Sequence, residues 1–159
     1  MYSKDMNTDL IFVFDVDGVT NASGDDDFQR TDMKHVMLRE DGKPVSNLTF
    51  SPQVAKDITE LSHRHEVVWG TSWNDRTRWL LQAGFPALPF LPVIRGSEEQ
   101  SKVDHIARLA LNRKVVWVDD FAMEWLHMID ESLHGNIVAI QPDYKQGISV
   151  AEMEFMKSL

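Results

Sequence analysis

The chain has 159 residues, 25 acidic against 16 basic side chains, a net charge of −9 and no cysteine. That length suits a single domain able to bury roughly 70% of its unfolded surface. The acidic balance argues against an extended nucleic-acid surface, which needs clustered Lys and Arg, but leaves room to grip one nucleic-acid end. The missing cysteines exclude disulfides, thiolate chemistry and cysteine-ligated zinc, and fit a cytoplasmic protein. No stretch approaches the ~20 apolar residues that span a bilayer, and Met1–Asp9 lacks the apolar centre of a signal peptide.

The first element is the run Leu10-Ile-Phe-Val-Phe14, which reads as a fully buried parallel strand. It leads straight into Asp15-Val-Asp17-Gly18-Val19-Thr20. Side chains alternate along a strand, so Asp15 and Asp17 lean to the same side where the extended geometry persists. Two carboxylates 4 Å apart repel by about 4 kcal/mol at an effective dielectric near 20. Such an ending to a core strand requires a cation, a shared proton or strong hydrogen-bond donors. The segment at about 20–50 then breaks the pattern. Asn21–Asp27 is polar and reads as a solvated loop despite its three aspartates. Residues 35–38 and 45–50 flank Asp41-Gly42, a hairpin-turn signal. We expect a small β-hairpin flap there, not a second domain.

Beyond it, Ser51-Pro52 predicts an N-cap followed by proline at the first helical position, opening a helix over 53–63. Glu66-Val-Val-Trp-Gly-Thr71-Ser72 is the second strand. Asn74–Ala83 is a helix stopped by Gly84. Leu91-Pro-Val-Ile-Arg95 is a weaker third strand. Ser101–Asn112 carries Val103, Ile106, Ala107 and Leu109 near helical spacing. Lys114-Val-Val-Trp-Val-Asp119-Asp120 is the fourth strand and Asn136–Ile140 the fifth. Helices over 122–133 and 150–157 complete the chain. Strands alternating with helices indicate an α/β fold with a mostly parallel, five-stranded sheet covered on both faces. In such sheets ligands bind beyond the carboxyl ends of the strands. Asp15 and Asp17, Thr71 and Ser72, and Asp119 and Asp120 all fall at those ends.

Taken together these residues resemble the haloacid dehalogenase-like (HAD) superfamily, over most of the chain. The first motif, Asp-x-Asp-Gly, stands as Asp15-Val-Asp17-Gly18. The second is the apolar strand ending in Thr71. The third, a helical lysine, is best matched by Lys102, with Arg95 or Lys114 as alternatives. The fourth is the strand ending in Asp119-Asp120. The resemblance implies a Rossmann-like HAD fold and a phosphatase acting through an aspartyl-phosphate. Asp15 would be the nucleophile and Asp17 the general acid and base. Thr71 would bind a phosphoryl oxygen, with Ser72 in reserve, beside the glycine turn at Gly18. Lys102 would neutralise charge. Mg²⁺ would be held by Asp15, the Asp17 backbone carbonyl and one of the acid pair, with Asp120 as the direct ligand and Asp119 orienting Lys102 or a metal water.

Val19 stands where many phosphatases have threonine, and Trp73 is unusual. The tryptophan-rich style is similar to a HAD branch found in RNA-repair-associated and phage proteins. Trp73 either packs or stacks on a base or sugar. The implied substrate is a phosphorylated small molecule or a nucleic-acid end. A non-catalytic phosphate- or metal-binding module on the same fold is the alternative. A receiver-like signalling domain is disfavoured, because Lys102 precedes the acid pair. The six histidines show no ligand spacing, and nothing in the sequence signals an oligomeric state.

Overall fold

A computed structural model describes residues 7–159. The opening residues 1–6, most of the stretch read above for a signal peptide, lie outside the described residues. The elements are β1 (Asn7–Phe14), β2 (Lys34–Glu40), β3 (Lys43–Phe50), α1 (Pro52–Arg64), β4 (His65–Trp69), α2 (Glu98–Ala110), β5 (Lys114–Val118), α3 (Ala122–Leu126), β6 (Ile137–Ile140) and α4 (Val150–Lys157). Two 3-10 helices, Asn74–Ala83 and Glu131–Asn136, lie between them. The main sheet has the order β4-β1-β5-β6, with every pair parallel. Among the described residues, no helix is long and apolar enough to cross a membrane.

Alternation along β1 divides the core. Phe12 and Phe14 face a cluster with Leu38, Leu48, Ile58, Leu61 and Met153 from the hairpin, α1 and α4. Ile11 and Val13 face a second cluster with Val103, Ile106 and Trp117 from α2 and β5. The four side chains are buried, and each contributes about 1.5–3 kcal/mol. The end of β1 is therefore anchored from both faces. α1 starts where the sequence predicts. Ser51 Oγ accepts from Val54 N–H and donates to Asp32, which also accepts from Gln53 N–H. α4 opens with a Ser149–Glu152 capping box.

Three expectations are corrected. The sheet has four strands, not five. Trp69 N–H donates to the Pro89 carbonyl and Leu91 N–H to the Trp69 carbonyl, leaving one isolated bridge at Phe90. Pro92 has no N–H to extend that ladder, and Val93 N–H turns instead to the Asn74 side chain. The segment 74–83 is a 3-10 helix rather than an α-helix, and it ends at Gly84 with φ +90°. The expected helix over 122–133 breaks after Leu126, where Asp130 caps a separate 3-10 turn through Ser132 N–H.

The hairpin forms with its turn at Asp41 and Gly42, both at positive φ, and makes a separate two-stranded sheet. It is docked, not free. Arg39 N–H donates to Gln82 Oε1 at 2.9 Å, and Gln82 Nε2 returns a hydrogen bond to the Arg39 carbonyl at 2.8 Å. Arg78 pairs with Glu40 on the same side.

Candidate active site

The strand register delivers Asp15 to the α2 face. Asp15 N–H makes the last ladder bond of β1, to the Val118 carbonyl at 2.9 Å. By alternation its side chain follows Ile11 and Val13 toward the cluster that contains α2. There Lys102 Nζ lies 3.1 Å from Asp15 Oδ2 and 2.7 Å from Asp119 Oδ2. Lys102 is 7% exposed and Asp119 not at all. The remaining oxygens are held by main chain: Asp15 Oδ1 accepts from Val16 N–H and Asp119 Oδ1 from Phe121 N–H. The ammonium also sits 5.4 Å from the centre of the Trp125 ring. Asp120 is half-buried beside it. Gly18, at φ +80°, lets the chain pass so close that an added Cβ would lie 2.7 Å from the Asp120 carboxylate.

Asp17 is not part of this cluster, and the expectation that both acids lean to one side is corrected. The strand ends at Phe14, and the N–H groups of Val19, Thr20 and Asn21 all turn back to the Val16 carbonyl. The turn carries Asp17 out to the surface. Its two oxygens are held separately: Oδ1 accepts from Asn21 Nδ2 at 3.0 Å, and Oδ2 from Trp73 Nε1 at 3.1 Å. Trp73 is thus 9% exposed, stands edge-on to Trp79, and orients a carboxylate rather than offering an open stacking face. Thr71 is buried, and its hydroxyl oxygen accepts from Trp73 N–H at 3.3 Å. Ser72 is half-buried on the wall of a cleft of about 360 Å³ that also contains Asp17 and Trp73.

Electrostatics sets the character of the buried cluster. Three carboxylates face one ammonium, so full ionisation leaves two uncompensated negative charges. Burial, reinforced by Asp119, pushes the Asp15 carboxyl up to about 8 from an ordinary 3.8. The same two causes push Asp120 up to about 6. Burial opposes the charge on Lys102, yet Asp15 and Asp119 outweigh it and hold its pKa above the usual lysine range. Asp15, Asp119 and Asp120 each bring a carboxylate oxygen within 4.8 Å of the others, an all-oxygen set that could bind a metal ion. The surplus negative charge and the hard donors fit a small divalent cation.

The structure therefore brings Asp15, Gly18, Lys102, Asp119 and Asp120 together, and places Asp17, Ser72 and Trp73 on the wall of a cleft, with Thr71 buried next to Ser72. The exposed Asp25–Asp27 join no such ligand group among the described residues. Asn21, Asn74 and Trp125 escaped the sequence reading. Asn74, at φ +50°, clamps Val93 through both its side-chain oxygen and its side-chain nitrogen, tying the Thr71 loop to the segment before α2. An asparagine directly after Thr-Ser-Trp was its only trace. Asn21 and Trp125 left no pattern that marks them. No known protein-family model matches this chain, and no curated protein is significantly similar to it.

Proposed function

We propose that this chain is a Mg²⁺-dependent, HAD-type phosphohydrolase of the cytoplasm that cleaves a phosphomonoester through an aspartyl-phosphate. The observation that supports it most is the buried Asp15–Lys102–Asp119 arrangement at the carboxyl ends of adjacent parallel strands, with Asp17 held apart at the mouth of a cleft. Asp15 attacks phosphorus, the bond to the ester oxygen breaks, and Asp17 gives that oxygen a proton. Water then attacks the phosphorus of the aspartyl-phosphate, Asp17 takes its proton, and the bond to Asp15 breaks to release phosphate. Thr71 donates to a phosphoryl oxygen, and Lys102 offsets charge on Asp15 and the phosphoryl group. Asp119, with both oxygens engaged, positions Lys102. Mg²⁺, held by Asp15, Asp120 and the Asp17 carbonyl, would supply charge neutralisation at the phosphoryl oxygens.

The test is hydrolysis of a generic aryl phosphate with Mg²⁺, with chelator, and by Asp15→Asn. The expected result is turnover that chelation abolishes and the substitution lowers by roughly 10³-fold or more. Activity surviving either treatment would sink the mechanism. Metal binding without hydrolysis of any phosphoester in a broad panel would leave a non-catalytic binding module.

A further inference from the structure

The cleft beside Asp17 has a charge pattern that phosphoryl chemistry alone does not use. Its walls come from the hairpin at Ser46, from Ser72 to Trp79, and from the loop leading into α2. Two arginines of this acidic chain, Arg76 and Arg95, line it together. Neither makes an ion pair among the described residues, whereas Arg78 and Arg113 do. Arg76 rests 5.8 Å from the centre of the Trp79 ring, which holds the guanidinium on the wall and leaves its N–H edge free. Two acids, Asp17 and Glu98, also line the cleft; the Glu98 carboxylate accepts from Gly96 N–H at 3.0 Å and lies within the electrostatic reach of Arg95, without an ion pair to it. A volume of about 360 Å³ falls within the range of small-ligand pockets, roughly 300–1,000 Å³, and suits a nucleoside- or sugar-sized group.

On the proposed mechanism the leaving oxygen must sit at Asp17, so the leaving group extends into this cleft. We infer that it carries a second phosphate, gripped by Arg76 and Arg95. The preferred substrate is thus a bisphosphorylated small molecule or a phosphate-ended oligonucleotide, rather than a simple monophosphate. Guanidinium groups match phosphate oxygens in paired, charge-assisted contacts. The inference rests on the phosphohydrolase reading and adds the identity of the leaving group.

The experiment compares kcat/KM for three pairs: a nucleoside 5′-monophosphate with its 3′,5′-bisphosphate, fructose 6-phosphate with fructose 1,6-bisphosphate, and the nucleoside 5′-monophosphate with a 5′-phosphorylated dinucleotide. The wild type is expected to favour the member that carries the second phosphate, in at least one pair, by about tenfold or more. Which pair shows the preference identifies the source of the phosphate. In Arg76→Gln/Arg95→Gln that ratio should fall to near one. A ratio cancels the active fraction, so partial misfolding does not mimic the result. Ratios near one in the wild type, with Asp15-dependent hydrolysis intact, overturn the inference and spare the mechanism. If the wild type hydrolyses nothing, calorimetry with the nucleoside bisphosphate decides. Binding that the double variant loses supports the arginine grip, and no binding overturns it.

Discussion

Asp17 and Asp15 sit two residues apart and are handled in opposite ways. Asp15 is buried against an ammonium, while Asp17 is exposed and steered by two neutral N–H donors. On the proposed mechanism the Trp73 indole acts through Asp17 as a positioning group. Trp73→Phe keeps most of the packing and removes the donor. We expect kcat to fall roughly tenfold with KM little changed, well short of the 10²–10⁴-fold that general acid–base catalysis supplies. A rise in KM with kcat unchanged would assign the indole to substrate binding instead. Lys102 is the opposite case, a charge that the fold itself needs. Lys102→Met strands the Asp119 carboxylate without its cation, and breaking such a buried pair costs about 3–5 kcal/mol. Urea unfolding should read that loss, and Lys102→Met/Asp119→Asn should recover part of it.

At the scale of elements, much of the architecture was legible, for stated physical reasons. β1, β4 and β5 are apolar runs that end in polar residues, and burial on both faces leaves little else for such runs to be. The Ser51-Pro52 start, the Asp41-Gly42 turn and the Ser149 start are set by local chemistry, so they could be read locally. What failed was set by distant partners. The run at 91–95 has strand-like residues, but Pro92 and the Asn74 clamp divert it. The segment 74–83 keeps its predicted bounds and its stop at Gly84, but its turns are 3-10 rather than α-helical. The Asn74–Val93 bonds and Gln82 on Arg39 tie its two ends to distant partners that are invisible in the order of residues. The pairing of Asp17 with Trp73 spans 56 positions and could not be read either. The same long-range bonds make a prediction. Gln82→Ala removes both contacts to Arg39, and each such bond contributes about 1 kcal/mol net. Amide exchange in β2 and β3 should speed up by roughly tenfold or more, while β1 and β5 stay protected. Unchanged exchange in the hairpin would show that its remaining contacts, the Arg78–Glu40 pair and the buried Leu38 and Leu48, keep it docked.

For the whole molecule, the surplus charge at the carboxyl ends of the two central strands couples stability to pH and to metal. Asp15 near 8 and Asp120 near 6 hold protons in the folded chain that the unfolded chain, with values near 3.8, has already released. The metal-free protein should therefore lose stability as the pH rises from about 4 to about 8, and this contribution is largest at the acidic end. A divalent cation competes with those protons. Mg²⁺ should raise Tm more at about pH 8 than at about pH 5.5. Asp15→Asn should flatten the metal-free dependence and shrink the Mg²⁺ response. Thermal melts at the two pH values, with Mg²⁺ and with chelator, check this. A Mg²⁺ response that shrinks toward alkaline pH would remove the cation from the carboxylate cluster.

The pinned hairpin has one more consequence. Enzymes that pass a phosphoryl group to an acceptor other than water rely on closing over it, because water is present at far higher concentration than any competing acceptor. Here the hairpin is already fastened to its neighbour, and Asp17 remains in contact with solvent. Asp15 itself is buried, so bulk water would reach a phosphorylated Asp15 past the exposed turn at Asp17, which nothing among the described residues covers. Given added alcohols, such a chain would yield inorganic phosphate almost exclusively, behaving as a terminator of phosphate esters and not as a courier between them.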